Sequence, residues 1–485
     1  MRALTIQRTS LIIIFLLLVA MALRVPTDTD TWWHIRSGEY ILDNGTIHGD
    51  PFSHTKTGET WINHSWGSQL IMLAFWNVAG NAGLALYTAI LAVGGMALLY
   101  SISAGNVYLR GFVLILGAAT AAVFWSARPQ MLSFFFTTAI LWLMYSYKRD
   151  NRDFLWMIVP LMWLWGNVHA GWAIGYLFLF AFIVGEAFNN ILKVDNDDTM
   201  SWAGWRKLSL FTLISIPFLV LSPYLLDNLL VPFNTVNIEP LRAFIQEWQS
   251  PNFQGRETWA FIGLLMLLFL ALWTSNRKFD WSSFFLLIGT LFLALLYGRN
   301  IAVFAVAAVP ILSYHLDNAL TARGYILRPR RSTPRPVAIA NLALLVLVGF
   351  GVMIYAISLF LPENIEILQS ERLPVAASRY LNENDLPREM FNSYNWGGYL
   401  MFAAPDYPVY VDGRTDLYGD FVLDYAAIYF DRADDLEVAL AEQNVNLVVV
   451  EVGAPIVDAL ADLDNWSQVY DDELAVIWIR SDNDE

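Results

Sequence analysis

The 485-residue chain contains no cysteine and little charge, with only 15% of its residues charged. Without cysteine it has no disulfide bonds and no thiol chemistry, so any domain outside the cytoplasm must be held by its core alone. It also has no glycine-rich phosphate loop, no internal repeat, no low-complexity tract and no Cys/His set at metal-binding spacing. The informative features are therefore the apolar stretches and the placement of the few charges.

Apolar side chains dominate the composition, which is 56% hydrophobic and 15% aromatic. This exceeds the apolar content of ordinary soluble domains, and the chain repeatedly runs almost without charge for about 20 residues, the length that crosses a bilayer. The sequence predicts an α-helical polytopic membrane protein. We assign about eleven transmembrane helices, at residues 9–26, 82–103, 109–127, 131–147, 154–169, 172–191, 207–226, 257–275, 281–298, 301–317 and 337–361.

The loops between these segments differ in their content of lysine and arginine. With a cytoplasmic N-terminus, sixteen such residues fall on the inner side of the membrane portion and seven on the outer side. The positive-inside rule favours this orientation, and an odd number of spans then puts the C-terminus outside the cytoplasm. We expect a plasma membrane location, or the inner membrane where there are two. The first segment also resembles a cleavable signal peptide, but the next loop lies outside in either case.

Acidic residues are concentrated in the last quarter of the chain. Residues 362–485 contain 26 Asp and Glu against six Arg and no Lys, a net charge of −20, whereas residues 1–361 have a net charge of +5. This contrast predicts a transmembrane domain at 1–361 and a soluble acidic domain at 362–485. So negative a domain is unsuited to binding nucleic acid or anionic lipid headgroups.

The acidic tail has the pattern of a small extracytoplasmic α/β domain. Its predicted elements are a helix from Pro374 to Leu381, a capping box at Asp434 and Glu437 before a helix to Gln443, a strand at 446–451, a helix near 455–463, and a hairpin of 467–470 with 474–480. Asp412 and Arg414 follow another predicted strand, 408–411, at a position where open α/β sheets often contact ligands.

The first outer loop, residues 25–81, is rich in chemically versatile side chains. Within nine residues it has two carboxylates, two indoles, an imidazole and a guanidinium, which belong to Asp28, Asp30, Trp32, Trp33, His34 and Arg36. Two amphipathic helices are predicted in this loop, one from Ile35 to Leu42 that ends at Asn44-Gly45 and one from His64 to Val78. Both have the pattern of helices that lie in the membrane interface.

The order of motifs in this loop resembles a known class of enzymes. Asp30 is followed by the segments 36–45 and 58–66 and then by an apolar stretch that leads into a membrane span. This arrangement is similar to the first periplasmic loop of GT-C class glycosyltransferases, which include the lipid A aminoarabinose transferases, the protein O-mannosyltransferases and the oligosaccharyltransferase catalytic subunits. The motif-level resemblance covers about 50 residues.

The resemblance implies a GT-C-like fold, a sugar donor linked to polyprenyl phosphate, and a catalytic acid in the first outer loop. Counted back from Gly45, Asp30 falls at the position of the family's first carboxylate. Many relatives have a second acid directly after the first, but here that residue is Thr31. A mechanism with two acids would therefore have to use Asp28.

The residue chemistry agrees with such a reaction. Transfer from a lipid phosphate needs a base for the acceptor proton, groups that hold the leaving phosphate, and aromatic surface for the sugar and the prenyl chain. Asp30 would supply the base, and Arg128 and Arg299, at the outer ends of helices, would bind the donor phosphate. Such arginines can also snorkel to lipid headgroups. Trp32 and Trp33 are candidates for substrate binding or ordinary members of an aromatic belt.

Seven further polar or aromatic residues on the outer side are candidates for substrate binding: His34, Arg36, His64, Trp66, Asn167, His169 and Glu247. Five of the six histidines lie on this face. A divalent metal, Mg or Mn, is a possible cofactor, with Asp28, Asp30 and His34 as conceivable ligands, although a single histidine is more often a hydrogen-bonding residue. Glu247, in the outer loop 227–256, can equally be an interfacial anchor.

Three classes of function fit these features. The favoured class is a glycosyltransferase that takes a sugar from a polyprenyl-phosphate lipid and gives it to a glycan, lipid or protein acceptor on the extracytoplasmic face. A lipid or polysaccharide transporter is an alternative, but no charged residue lies clearly at mid-span and no inverted repeat is visible. The third is a non-catalytic membrane subunit whose acidic domain binds a glycan or a partner.

Overall fold

The computed structural model describes residues 4–194, 198–236, 238, 245–278, 280–326, 333–432 and 435–481. The membrane portion is mostly helical. Its helices are α1 (Ile6–Ala22), α2 (Thr29–Asn44), α3 (Trp66–Ile102), α4 (Val107–Ala121), α5 (Gln130–Asp150), α6 (Ile158–Val168), α7 (Trp172–Ile191), α8 (Trp202–Phe218), α9 (Asp227–Val236), α10 (Trp259–Thr274), α11 (Trp281–Leu296), α12 (Ile301–Ala322) and α13 (Arg335–Leu359).

Each predicted apolar segment coincides with a helix in this set. Within the described ranges, six helical stretches are long and apolar enough to cross a membrane, and three more, at Ile6–Ala22, Leu155–Val168 and Trp281–Leu296, are apolar but shorter. The chain is a multi-pass membrane protein, and its total of eleven spans remains a prediction.

Helices α12 and α13 occupy opposite extremes of burial in the membrane portion. In the helical stretch Gly298–Ala322, which includes α12, 72% of the most apolar 18-residue segment is buried. Its buried residues include Ala302, Ala305 and Ala308. Small side chains of this kind allow neighbouring helices to approach closely. In α13 only 11% of the corresponding segment is buried, and the helix packs against α1. Helix α12 is therefore central, and α13 lies at the periphery.

The first outer loop folds as two helices, as the sequence predicts, but the first of them begins earlier than expected. Helix α2 starts at Thr29 because the Asp28 side chain caps it by accepting a hydrogen bond from the Asp30 amide (3.1 Å), and it ends at Gly45, which has a positive φ of 84°. The acidic motif is thus helical and does not form a loop. The second helix is the first part of α3, which kinks at Ala79 and Gly80 before its second half continues as a predicted span.

The C-terminal domain contains a four-stranded sheet in the order β1-β2-β4-β3, in which β1 is parallel to β2 and the other pairs are antiparallel. Its strands are β1 (Met390–Asn392), β2 (Leu447–Glu451), β3 (Trp466–Asp471) and β4 (Ala475–Arg480). Its helices are α14 (Pro362–Ser370), α15 (Val375–Glu383), α16 (Tyr394–Ala403), α17 (Thr415–Tyr418), α18 (Phe421–Tyr429), α19 (Leu436–Glu442) and α20 (Pro455–Ala461).

Most elements predicted for this domain are confirmed, including helices α15 and α20, strand β2 and the β3–β4 hairpin. The predicted capping box differs in detail. Asp434 lies outside the described residues, and helix α19 is capped by Asp435, whose side chain accepts a hydrogen bond from the Val438 amide. The predicted strand at 408–411 is wrong: this segment makes only a single bridge, from Val409 to Ser53 of the first outer loop.

The C-terminal domain packs directly on the first outer loop, and two kinds of contact hold them together. Helix α16 lies against helix α2, where the Tyr399 amide donates to the Thr29 hydroxyl (3.1 Å). The Arg414 guanidinium is fully buried between Asp412 of its own domain and Asp50 of the loop. Because a buried cation without partners is strongly destabilising, the Asp50 contact fixes the domain against the loop.

Candidate active site

A cavity of about 620 Å³ lies between the membrane portion, the first outer loop and the C-terminal domain. This volume is typical of sites for small molecules or parts of larger ligands. Eight of the residues singled out from the sequence line it: Asp30, Trp33, His34, His64, Arg128, His169, Glu247 and Arg299. They come from segments more than 200 residues apart in the chain, so the cavity exists only in the folded protein.

Helix α2 contributes one polar face to this cavity. Asp30, Trp33 and His34 are related by three and four positions, which places them on the same side of a helix. The Trp33 indole N–H donates to Asp30 Oδ1 (3.0 Å) and fixes the carboxylate. His34 Nδ1 lies 3.3 Å from the Gln69 side-chain nitrogen, which orients the imidazole. The second oxygen of Asp30 remains directed toward the cations of the site.

Arg128 is the centre of the charged groups. Its Nη2 lies 2.8 Å from Asp30 Oδ2, its Nη1 lies 3.2 Å from Asp28 Oδ2, and both nitrogens are 3.4 Å from oxygens of Glu247. A planar guanidinium can contact three carboxylates at once, whereas a lysine ammonium lacks this geometry. The carboxylates come from the N-terminus of α2 and from the short 3₁₀ turn Gln246–Trp248.

Arg299 supplies a second guanidinium on the other side of Glu247. It lies in a 3₁₀ turn at the start of α12, 3.7 Å from Glu247 Oε1, and stacks over the Trp248 ring at 4.5 Å. The Gly298 amide donates to the Gln249 carbonyl (2.9 Å), which ties the two turns together. Arg128 and Arg299 therefore both line the cavity and share one carboxylate, and guanidinium groups are frequent partners of phosphate in proteins.

The balance of charge sets the protonation of Asp30. Burial raises the pKa of this carboxyl to about 7, and the negative charges of Asp28 and Glu247 add to the effect, while Arg128 opposes it. Three carboxylates face two guanidiniums, so one bound proton would neutralise the excess. Burial also raises the pKa of Glu247, but Arg128 and Arg299 outweigh this effect and hold it below its usual value. Asp30 is thus the acid of this group with a pKa suited to proton transfer.

The histidines of the cavity are held in the neutral form. Burial and the charge of Arg128 lower the pKa of His34 well below its ordinary value. Burial likewise lowers the pKa of His169, with smaller effects from His64 and Arg299. His169 Nδ1 lies 2.7 Å from the Ser133 hydroxyl. Neutral imidazoles can donate or accept hydrogen bonds without adding charge to the site.

The C-terminal domain forms one wall of the cavity. The residues from this domain that line it are Tyr394, Asn395, Gly413, Thr415 and Asp416. Gly413 lies against the acidic helix, because a Cβ atom added there would be only 2.1 Å from Asp30 Oδ1 and 3.4 Å from the Trp33 indole nitrogen. The absence of a side chain at 413 therefore leaves the space that the Asp30 carboxylate occupies.

Gly413→Ala is expected to displace the Asp30 carboxylate and to reduce whatever activity depends on it by about 10²-fold, the loss that follows a 1 Å misplacement of a reacting group. Gly349→Ala is the matched control, because nothing lies within 4 Å of a Cβ at that position. The measurement is turnover by both purified variants at equal amounts of folded protein. Equal, wild-type turnover in the two variants would show that the close approach at 413 has no role.

Four of the predicted substrate-binding residues do not line the cavity in the described structure. Trp32 is buried against Trp76, Tyr399 and Phe402. Arg36 forms an ion pair with Glu39 on its own helix. The other two are Trp66, at the start of α3, and Asn167, whose amide donates to the Trp163 and Leu221 carbonyls. We do not retain these four as substrate-binding candidates.

Asp28 also lies outside the lining, although it contacts the site through Arg128. Its Oδ1 caps α2 and its Oδ2 pairs with Arg128. Thr31, at the position of a second acid in many GT-C enzymes, is fully buried. Asp30 is thus the one carboxylate of α2 that lines the described cavity.

The expected ligand contact at Asp412 and Arg414 is wrong. Arg414 is fully buried, its Nη2 lies 2.7 Å from Asp412 Oδ2, and the Tyr418 hydroxyl donates to the same oxygen. Both side chains are therefore surrounded by protein and are not accessible to a ligand. Its role is structural, and the adjacent Gly413 and Asp416 are the residues that reach the cavity.

The conceivable metal ligands Asp28, Asp30 and His34 do not form a coordination site in this arrangement. Both carboxylates are directed to Arg128, which lies where a shared cation would bind, and His34 is oriented by Gln69. Across the described ranges, no cluster of three acidic or histidine side chains has the geometry to hold a metal ion. The donor set therefore does not fit a divalent metal, and we derive no step through one.

Among the cavity residues that sequence reasoning missed, Gly413 and Asp416 belong to the wall from the C-terminal domain. Asp416 lies two positions after Arg414, in a segment already singled out for its charges, but nothing local distinguishes it from the other acids of this domain. Gly413 lies between the two charged residues, and its importance follows only from the position of Asp30.

Comparison with solved structures identifies the fold. The archaeal oligosaccharyltransferase AglB from Archaeoglobus fulgidus, in complex with an inhibitory peptide and a dolichol-phosphate, is similar with a TM-score of 0.59 and 10% identity, over 91% of this chain and 69% of that one. ArnT from Cupriavidus metallidurans, bound to undecaprenyl phosphate, is similar with a TM-score of 0.53 and 15% identity, over 98% of both chains. No family model and no curated protein matches the sequence significantly. The expected GT-C fold is confirmed.

Proposed function

Because the chain has the GT-C fold, we propose that it is a membrane glycosyltransferase that moves a sugar from a polyprenyl-phosphate-linked donor to an acceptor on the extracytoplasmic face. The observation that carries the proposal is the cavity in which Asp30, with its pKa near 7, lies beside the guanidiniums of Arg128 and Arg299. One group can accept a proton and the other two can bind a phosphate, which are the requirements of glycosyl transfer from a lipid phosphate.

The reaction follows from these groups. The Asp30 carboxylate takes the proton of an acceptor hydroxyl, and the acceptor oxygen forms a bond to the anomeric carbon of the donor sugar. The bond between that carbon and the phosphate oxygen breaks, and the polyprenyl phosphate leaves with the electron pair. Arg128 and Arg299 hold the phosphate as its charge increases, so their contact strengthens in the transition state.

The cavity also has apolar lining that suits the lipid part of the donor. Apolar side chains from α5, α7, α11 and α12 line it, including Phe134, Ile174, Leu293, Val303 and Val306. The polar groups on α2 and the C-terminal domain line the same cavity. A lipid phosphate with its prenyl chain among the helices and its sugar toward Asp30 would satisfy both surfaces.

The two solved structures support the class of donor. The AglB structure contains a dolichol-phosphate, and the ArnT structure contains undecaprenyl phosphate. Both molecules are polyprenyl phosphates, and we propose the same class for this chain. The sugar, whether hexose or pentose, is left open by the cavity.

The direct test is incubation of the purified full-length chain, in lipid nanodiscs, with radiolabelled polyprenyl-phosphate sugars and an envelope extract as acceptor. Label should move from the lipid to the extract and the polyprenyl phosphate should be released in equal amount. Asp30→Asn serves as the inactive control. If no sugar leaves any donor in the wild-type reaction, while labelled lipid binds and remains intact, the chain is no transferase.

We also propose that the cavity faces the extracytoplasmic side. The excess of lysine and arginine on the opposite loops supports this orientation, and the packing of the C-terminal domain on the first outer loop puts both on one side. A periplasmic-type reporter fused after the last residue is expected to be active, whereas a cytoplasmic reporter at the same position should be silent. The reverse pattern would contradict the orientation.

A further inference from the structure

We propose that the wall of the cavity centred on Asp416 is the acceptor subsite, and that it selects an acceptor whose reacting sugar is uncharged or cationic. This inference rests on the proposed function and names the substrate class of the same site. It concerns the part of the cavity formed by the C-terminal domain.

Asp416 is held in place but keeps capacity for a ligand. Its Oδ2 accepts a hydrogen bond from the Trp61 indole N–H (3.2 Å) and lies 4.0 Å from His64 Nδ1. The side chain is 26% exposed. In the described part of the chain it has no lysine or arginine partner at ion-pair distance, in contrast to Asp30, which pairs with Arg128. An ionised carboxylate can accept about four hydrogen bonds, so further ones are available to a substrate.

Two of the carboxylates that line the cavity, those of Asp30 and Asp416, are anchored in the same way. Asp30 accepts the indole N–H of Trp33, Asp416 accepts that of Trp61, and the two indole rings pack edge to face at 5.9 Å. Each carboxylate is therefore fixed relative to the other through packed aromatic rings. An acceptor bound at Asp416 would be held at a defined position relative to the base.

Further polar groups extend this wall. The Tyr394 hydroxyl lies 2.6 Å from the Thr415 hydroxyl, and both residues line the cavity next to Asn395. Gly413 brings the backbone of the same segment against Asp30. Hydroxyls, an amide and a carboxylate around indole rings are suited to bind the hydroxyl groups of a sugar.

Charge determines which sugar the wall accepts. His64 is held in the neutral form because burial lowers its pKa, although Asp416 partly offsets this effect. The negative charge of Asp416 is therefore not balanced by this neighbour. The whole C-terminal domain has a net charge of −20. A phosphate or carboxylate on the acceptor would be repelled at this wall, whereas a neutral hydroxyl or an ammonium group would be bound.

The test uses the full-length chain in nanodiscs, the labelled polyprenyl-phosphate sugar that it turns over, and an envelope extract from cells lacking the chain. The labelled product is released from lipid and separated on an anion exchanger. We expect the label in unretained material. Asp416→Lys should lower incorporation at least tenfold and Asp416→Asn should raise the KM for the extract about tenfold, as loss of a charged hydrogen bond predicts.

Asp420→Lys is the matched control, since Asp420 is exposed in the same domain and is not among the described residues that line the cavity. It should transfer sugar within twofold of wild type, and both Asp416 variants should still bind the labelled donor. The inference would be overturned if the label were found in anionic product that the anion exchanger retains strongly. Wild-type KM values for the extract in the Asp416 variants would also overturn it. Equal loss in Asp416→Lys and Asp420→Lys would also overturn it. Absence of any product with wild-type protein would instead count against the proposed function.

Discussion

Asp30→Asn is expected to lower sugar transfer by about 10²-fold or more, the contribution of a positioned general base. The amide keeps the shape of the side chain and can still accept the Trp33 hydrogen bond of 3.0 Å, so α2 should remain folded. It cannot take the acceptor proton. The measurement is turnover of labelled donor at saturating acceptor, together with donor binding, which should persist because both arginines are intact.

The pH dependence provides a check that a structural defect would not reproduce. Asp30 has a raised pKa of about 7, so its carboxylate is the ionised base above that pH and is lost as the pH falls through it. Wild-type kcat/KM should therefore fall about tenfold per pH unit below 7. Asp30→Asn should lose this dependence. Asp43→Asn, an exposed acid on the same helix, is the control and should keep the wild-type profile. A wild-type rate in Asp30→Asn would refute the assignment of the base.

Arg128→Ala is expected to have an effect of similar size, with loss of donor binding as well as about 10²-fold or more in turnover. The guanidinium is shared by Asp28, Asp30 and Glu247, so its removal leaves three carboxylates facing only Arg299. A phosphate would then meet a larger excess of negative charge than in the wild-type site. Arg128→Lys should restore only part of the activity, because an ammonium cannot contact three carboxylates and a phosphate in one plane.

This variant also has a signature in its pH profile. Arg128 lowers the pKa of Asp30, so its removal should raise that pKa and move the residual activity to higher pH. Arg379→Ala, which removes an exposed arginine paired with Glu366, is the control for charge alone. Binding of a labelled polyprenyl phosphate measures the donor site directly. Unchanged donor affinity in both Arg128→Ala and Arg299→Ala would contradict the phosphate site.

The proposed mechanism uses only one acid of α2. Asp28 is occupied by the helix cap and by Arg128, and Thr31 is fully buried. A second carboxylate that lines the cavity and contacts Arg128 is Glu247, from an outer turn more than 200 residues away. Arg128 and Arg299 hold its pKa below the usual value, so it remains ionised beside the two arginines, and we propose that Asp30 alone transfers the proton.

The features that the sequence alone determined depend on short, local stretches of residues. Each apolar stretch had to be a helix, because only a helix satisfies its backbone groups in a bilayer, and all eleven stretches coincide with helices. The order of motifs in the first outer loop identified the GT-C fold and directed attention to Asp30. The strand at 447–451 and the following hairpin were likewise visible from alternation and turn residues.

What the tertiary structure alone decided involves residues far apart in the chain. The gathering of Asp28, Asp30 and Glu247 around Arg128 depends on three segments that are separate in sequence. The same holds for Gly413 against Asp30 and for Asp416 beside Trp61. A local pattern records which face of a helix is apolar, but not which distant segment covers it, because that choice is made by the packing of the whole protein. The proposed base could therefore be selected from the sequence, whereas the surroundings that set its pKa and the proposed acceptor wall could not.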